Sequence, residues 1–507
     1  MERASMDSLR RRLAQATSIS MLGIVVMLVM SYPRNMMTAR ALSPEELGIY
    51  TLGSTIFSWL AVIFGQGINT SLAKYIGHYW HDQSRLSAGV FWALRWVLII
   101  SCIGAVIVVA ISFMTFWLGG SDRALFLVMV LYAMAVPFSV LKETTSQISL
   151  GFSLVRENVL FNSVLASTVW TLMIFLSWYF HLGLYAVTFT VPLMFAFSGI
   201  GTWIAVRRNL AEPAVNAVDL GVDKKSILLN GVILLASNFA YSFWLKFDNI
   251  FLGKYWGTRE VGLYAPAYQT AFLLNYMNVA VASFFSPTVS RLLAEGKKAE
   301  LAALYKETSQ WCFHGNLAIY ATLLVGAKPF LSLFGHDYMT AETVVSLRIL
   351  LTGFFLYSFI TAPPWILLSM SNNQKKLAIS EILMVPVAAV IHFFVTAKYG
   401  AIGAAISTSL SLGVAGIIRS MFGFSVCRSF TLDRTAWKLA VVAATILGAS
   451  CIIVNVIDIS FFLLPVVYAV FVCIQAATLL ILKDNTLISI CRMIGARLSG
   501  SSAKIDN

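Results

Sequence analysis

The chain has 507 residues, of which 59% are hydrophobic and only 12% charged, and its mean hydropathy is +0.80. A water-soluble domain carries about 25% charged residues, so the composition excludes one and marks an integral membrane protein. The net charge of +13 is explained here by basic residues gathered in loops on one side of a membrane, and nucleic acid is not expected as a partner.

Long uninterrupted apolar runs exclude the alternating ~10-residue segments of a membrane barrel and leave an all-α polytopic bundle. Fourteen transmembrane helices, each near the ~20 residues a bilayer requires, are predicted at 18–40, 47–72, 91–117, 124–145, 157–180, 183–205, 227–252, 261–288, 310–334, 343–369, 377–397, 401–426, 436–457 and 460–482. The first follows Arg10–Arg12 and is expected to be a true span rather than a cleaved leader, because many others succeed it. With the N-terminus cytoplasmic, and basic residues towards span ends counted with the adjoining loops, alternate loops and both tails hold 25 of the 36 Lys and Arg residues. The opposite loops hold six and the spans five. This bias predicts cytoplasmic N- and C-termini and a multi-pass protein of the inner membrane. Cys102, Cys312, Cys427, Cys451, Cys473 and Cys491 lie in or beside apolar runs without a C-x-x-C pair, so they are expected to pack rather than bridge or bind metal.

Between the first two spans lies Ala41-Leu42-Ser43-Pro44-Glu45-Glu46-Leu47-Gly48-Ile49-Tyr50. Ser43 can cap a helix, Pro44 suits its first position, and the two glutamates favour the positive end of its dipole. Trp256-Gly257-Thr258-Arg259-Glu260-Val261-Gly262-Leu263-Tyr264 echoes it after span 7, with Gly262 answering Gly48 at an offset of 214. Two further anchors agree at an offset of 217, Lys74 with Arg291 and Gly183 with Gly400. Six spans separate the copies. An even number makes the repeat parallel, two six-helix lobes about an axis along the membrane normal. The expected organisation is an N-lobe at 1–210, a cytoplasmic linker at 211–226, a C-lobe at 227–427, and spans 13 and 14 with a cytoplasmic tail at 428–507.

Fourteen spans, two lobes and the L-S-P-E-E-L-G-I-Y motif with its echo resemble the polysaccharide-transporter branch of the multidrug/oligosaccharidyl-lipid/polysaccharide (MOP) exporter superfamily, over essentially the whole chain. Ser43 stands where that signature usually has Gly, a small-for-small change. The resemblance implies a transporter, not an enzyme, that flips an undecaprenyl-diphosphate-linked oligosaccharide by alternating access for O-antigen or exopolysaccharide synthesis. It also implies membrane lipid, a coupling H+ or Na+ and a polysaccharide polymerase or export complex as partners. Spans 13 and 14 would then form a groove for the polyprenyl tail. A drug/cation antiporter and a peptidoglycan-precursor flippase are the alternatives in the same superfamily. A glycan polymerase or ligase is a third, against which the missing long external loops count.

No G-x-x-x-x-G-K-[ST], H-E-x-x-H or G-x-S-x-G is present, so no cofactor or ATP hydrolysis is expected. Charges within spans then carry the functional information, since they are costly in hydrocarbon. Arg34 in span 1 and Asp248 in span 7 occupy equivalent repeat positions and are expected to form a gate pair. The alternative is that each is satisfied within its own lobe, Asp248 by Lys246 or a backbone group. Polar stripes at helical spacing, Asn230, Ser237, Tyr241 and Asp248 on span 7 and Tyr264, Tyr268, Asn275 and Asn278 on span 8, are expected to line a hydrated cavity or to pack helices together by hydrogen bonds. Arg34, Lys74, Arg291 and Arg348 are candidate phosphate contacts. Arg95 and Arg419 lie near the cytoplasmic ends, where snorkelling would satisfy them. Glu143 and Glu381 are placed at the cytoplasmic interface with Lys142 or Lys376 as partners, and His314 and His392 are expected to be satisfied within the core. Pro363-Pro364 and the other prolines within or at the edges of spans mark sites of kinks.

Overall fold

The structure is a computed structural model, and it describes residues 2–79, 82–120, 122–208, 210, 224–371, 373–428, 436–456 and 461–481. The helices are α1 (Glu2–Ala41), α2 (Pro44–His78), α3 (Gln83–Trp117), α4 (Arg123–Gly151), α5 (Val155–Val159), α6 (Ala166–Tyr179), α7 (Gly183–Arg207), α8 (Lys224–Leu245) and α9 (Phe247–Trp256). They continue as α10 (Thr258–Ala271), α11 (Asn275–Ala294), α12 (Lys298–Val325), α13 (Ala327–Ser332), α14 (Ala341–Leu356), α15 (Ala362–Met370), α16 (Gln374–Cys427), α17 (Ala436–Val456) and α18 (Leu464–Ile481). No strand occurs among the described residues. Nine helical stretches among them are long and apolar enough to cross a membrane, and one of these, Gln374–Cys427, holds two predicted spans. Predicted spans 7, 8, 9 and 13 fall on α8–α9, α10–α11, α12 and α17.

The repeat is written in the backbone as well as the sequence. Gly183 and Gly400 both adopt positive φ, +75° and +58°, a conformation that only glycine enters without penalty. At Gly400 (ψ −134°) the reversal splits α16 into its two predicted spans. Equivalent cores also form far from the motif. Leu72, Ile76, Val90, Ile148 and Val206 join α2, α3, α4 and α7, and Val289, Leu292, Tyr305, Ile366 and Cys427 join α11, α12, α15 and α16.

Close contacts divide the chain into two compact units, Met1–Gln269 with Glu381–Ala404, and Thr270–Ser380 with Ala405–Asn507. Span 7, the first part of span 8 and span 11 are thereby grouped with spans 1–6. The predicted linker lies largely outside the described residues, as does Cys491, and the side chain of Cys451 in α17 is not among the described ones; Cys312 and Cys427 are buried thiols, and Cys102 and Cys473 are exposed ones.

Within the second unit, a double proline shapes span 10. Residues Tyr357–Thr361 form a π-helix between α14 and α15. Pro363 and Pro364 lack the N–H groups that would bond the Phe359 and Ile360 carbonyls one α-turn earlier. Serines from neighbouring helices take over. Ser309 Oγ donates to Phe359 O at 2.7 Å and Ser420 Oγ to Ile360 O at 3.2 Å. The kink expected at Pro363-Pro364 is therefore pinned from both sides.

Candidate substrate site and gate

The motif at Ser43 folds as its residues dictate. Ser43 is an N-cap with extended backbone, Pro44 opens α2, and Ser43 and Glu46 close a capping box. Ser43 N–H donates to Glu46 Oε2 at 2.9 Å, and Glu46 N–H donates back to Ser43 Oγ at 3.4 Å. The echo opens α10 beside the first motif. A Cβ built on Gly48 would lie 1.7 Å from Thr258 O, and one on Gly262 would lie 1.7 Å from Pro44 O. The two glycines thus let α2 and α10 cross backbone to backbone.

Within the first unit lie Arg34 and Asp248, the expected gate pair. Arg34 on α1 is half-buried, with its guanidinium carbon 3.9 Å from the centre of the Trp170 ring on α6. Trp170 is itself fixed by donating Nε1–H to Thr190 Oγ1 at 3.0 Å. Asp248 on α9 is fully buried, and its carboxylate accepts from Asn249 N–H at 2.8 Å and from Tyr264 Oη at 3.2 Å. Asn249 Nδ2 in turn donates to Thr55 Oγ1 on α2 at 3.0 Å. Lys246 occupies the break between α8 and α9 (φ −108°, ψ 13°), and its ammonium lies 5.1 Å from the Tyr268 ring centre. Span 7 is therefore broken two residues before its charge without a proline, close to the repeat position where span 1 carries Pro33.

Tyr264 and Tyr268 are both buried, with ring centres 6.3 Å apart. Tyr241 is half-buried and meets Trp244 edge-on at 5.7 Å. Asp248, Tyr264 and Lys246–Tyr268 thus form one connected polar chain in the first unit, with Arg34–Trp170 as a second element. In the second unit, Asn278 Nδ2 donates to Asn275 Oδ1 at 3.2 Å. The side chains of Asn230 and Lys74 lie outside the described ones. Arg291 is exposed and 3.9 Å from Glu295, whereas Arg348 is half-buried with its Nε sealed from solvent and lacking a hydrogen-bond partner.

Two expectations need correction. Glu381 is turned inward rather than exposed. It is fully buried and accepts from Trp244 Nε1 at 3.1 Å, while Lys376 donates to Ser425 Oγ at 2.7 Å. Arg419 does not snorkel, since it is fully buried. Helix position alone misplaced both, because a charge can turn inward where tertiary partners await it. Both histidines have a partner at Nδ1: His392 Nδ1 lies 3.1 Å from Thr396 Oγ1, and His314 Nδ1 lies 3.1 Å from Gln475 Nε2. Trp170 is the site residue that the sequence did not single out; Lys246 was expected only as an alternative partner of Asp248.

A cavity of about 640 Å³ lies in the second unit, walled by α11, α12 and α18. Its lining is overwhelmingly apolar, including Val281, Phe285, Leu304, Val472 and Leu479, with the Gln475–His314 pair as its polar spot. A smaller one of about 350 Å³ shares Tyr468 with it and is lined by Leu273, Leu323 and Leu464.

An inward-facing multidrug resistance transporter of the MATE family superposes with a TM-score of 0.66 at 16% identity, covering 79% of this chain and 94% of that one. The lipid II flippase MurJ, in an inward closed conformation, superposes with a TM-score of 0.66 at 13% identity, covering 94% of this chain and 100% of that one. A Shigella flexneri protein, provisionally named an O-antigen transporter, is 21% identical over 398 residues, 77% of this chain and 93% of its own length. The fold is the one shared by the MATE transporter and MurJ, and its long apolar helices are those of a multi-span membrane protein. The model for the polysaccharide biosynthesis protein family matches residues 13–293, more than half of the sequence, and the chain belongs to that family.

Proposed function

We propose that this protein flips an undecaprenyl-diphosphate-linked oligosaccharide across the inner membrane by alternating access, with both termini cytoplasmic. The observation that carries the proposal is the apolar cavity walled by α18, a helix outside the twofold repeat. It suits a polyprenyl tail, because an apolar chain loses nothing by leaving lipid for a wall of Val, Leu and Phe. The share of this chain matched by MurJ, 94% against 79% for the MATE transporter, supports a lipid-linked cargo over a soluble cation. Half-buried cations at Arg34 and Lys246 also favour an anionic head group. Within the first unit, the sugar would meet Tyr241 and Tyr268, and the diphosphate would meet Arg34. Arg34 and Asp248 would act as a gate pair, each steadied by its aromatic neighbour, Trp170 or Tyr264.

Deletion of the gene followed by analysis of lipid-linked glycans tests the cargo. Accumulation on the inner leaflet is expected; unchanged glycans together with new sensitivity to cationic dyes would favour drug export. For the gate, each single charge reversal at Arg34 and Asp248 should abolish transport, and the double reversal should restore it. A double variant as dead as the singles would rule out a simple pair.

A further inference from the structure

The crossing of the two motif copies has an unusual composition. Gly48 and Gly262 are related by the repeat, as are the carbonyls each of them approaches, Pro44 O and Thr258 O. The contact is reciprocal: a Cβ on Gly48 would also lie 3.1 Å from Gly262 N, and one on Gly262 would lie 3.0 Å from Gly48 N. No side chain interdigitates at its centre. What meets is Cα–H against C=O, a weak attraction, flanked by the buried Leu47, Ile49, Val261 and Leu263.

Parting this contact leaves no new orphan. Each carbonyl retains its own intrahelical partner one turn on, and the capping box of α2 is closed by Ser43 and Glu46 alone. The contact is therefore tight in shape yet cheap to break, as a surface that repeatedly opens and closes requires.

We propose that the Gly48–Gly262 crossing is the reversible seal of the transporter at the motif end, closed in the state described here and parted in the alternate state. The conclusion rests on alternating access but not on the identity of the cargo. It assigns the two glycines a conformational role, and it predicts that any side chain at either position empties the closed state while leaving each helix intact. Alanine in a helix interior is in fact favoured over glycine by propensity, so loss of the helix is not the expected outcome.

Glu45 and Arg259 are also repeat-related, lie one turn from the crossing and are exposed. Spin labels placed there through Glu45→Cys and Arg259→Cys, in full-length protein with the native cysteines replaced and reconstituted in liposomes, report the separation without any substrate. The parent should show a dominant short distance. Gly48→Ala and Gly262→Ala should each cut that population at least tenfold in favour of a longer one. Gly413→Ala, whose Cβ meets nothing within 4 Å, should leave it unchanged. Retention of the short distance by both glycine variants would overturn the proposal. Should those variants fail to fold, a short bifunctional cross-linker across the same cysteine pair decides the matter in the parent. Blocked transport is expected, and transport at the uncross-linked rate would refute the seal. A protein that is not a glycan flippase but does alternate would still show the distance shift, so failure of the cargo assignment and failure of the seal are separable.

Discussion

The serine that pins the double-proline kink offers the sharpest energetic test. In Ser309→Ala the carbonyl of Phe359 loses its 2.7 Å donor, and no backbone N–H replaces it, because Pro363 and Pro364 occupy both the α- and the π-register positions. A buried acceptor left unsatisfied costs about 1–3 kcal/mol, and hydrogen bonds between membrane helices measure about 0.6 on average and up to about 1.7. The expected loss is therefore about 1–1.5 kcal/mol, a fall in melting temperature of about 1 °C for cooperative unfolding of a chain this long. Reaction of a thiol dye with the buried Cys312 and Cys427 on heating reports it without added labels. Ser309→Thr, which keeps the hydroxyl, should recover most of the loss. The decisive comparison is a cycle with Pro363→Ala, which returns an N–H to Phe359 O. In that background Ser309→Ala should cost close to nothing. An equal cost in both backgrounds would refute the account of the kink.

Further outcomes follow from other contacts. Gly400→Ala should cost about 1–3 kcal/mol, since its φ of +58° is strained for any other residue and its Cβ would press on the Trp256 ring at 3.3 Å. Gly183→Ala, with open space around it, should cost less, and thermal denaturation of the pair separates backbone strain from contact. Trp170→Leu removes a cation–π contact of about 0.5–2 kcal/mol, so glycan flipping should slow about 2- to 30-fold in reconstituted vesicles; an unchanged rate would remove Trp170 from the site. At the exposed turn after α11, Glu295 and Glu300 raise the pKa of Lys297. That pairing favours the folded state while the lysine is charged and is lost as pH rises through the raised value. Glu295→Gln should hasten acylation of Lys297 at pH 9, which peptide mass spectrometry would detect.

The twofold repeat was legible in the sequence because it is carried by residues whose backbone role is hard to replace. Gly183 and Gly400 both need positive φ, and Gly48 and Gly262 both need bare backbone. The cap at Ser43 was equally readable, since its partners lie within one turn. Partners distant in sequence were not. Trp244 and Glu381 are separated by 137 residues, and nothing in either helix announces the other. Ser309 and Ser420 look like any serines in an apolar span until two orphan carbonyls are found facing them. Asp248 was visible as a charge, but its bond to Tyr264 was not, although both residues stood on the predicted stripes.

The short 3₁₀ segment Phe272–Leu274 between α10 and α11 has a consequence for how the two halves age and move. The repeat offset is 214 at Gly262 and 217 at Arg291, so the second copy has gained three residues between those points. Three residues in a helix of 3.6 per turn rotate everything downstream by about 60° relative to the other copy, and the 3₁₀ turn is where that stammer is absorbed. Helix α2 runs unbroken over the equivalent stretch. The two repeat copies therefore differ here: one keeps a continuous helix, while the other is interrupted in its middle by a 3₁₀ turn.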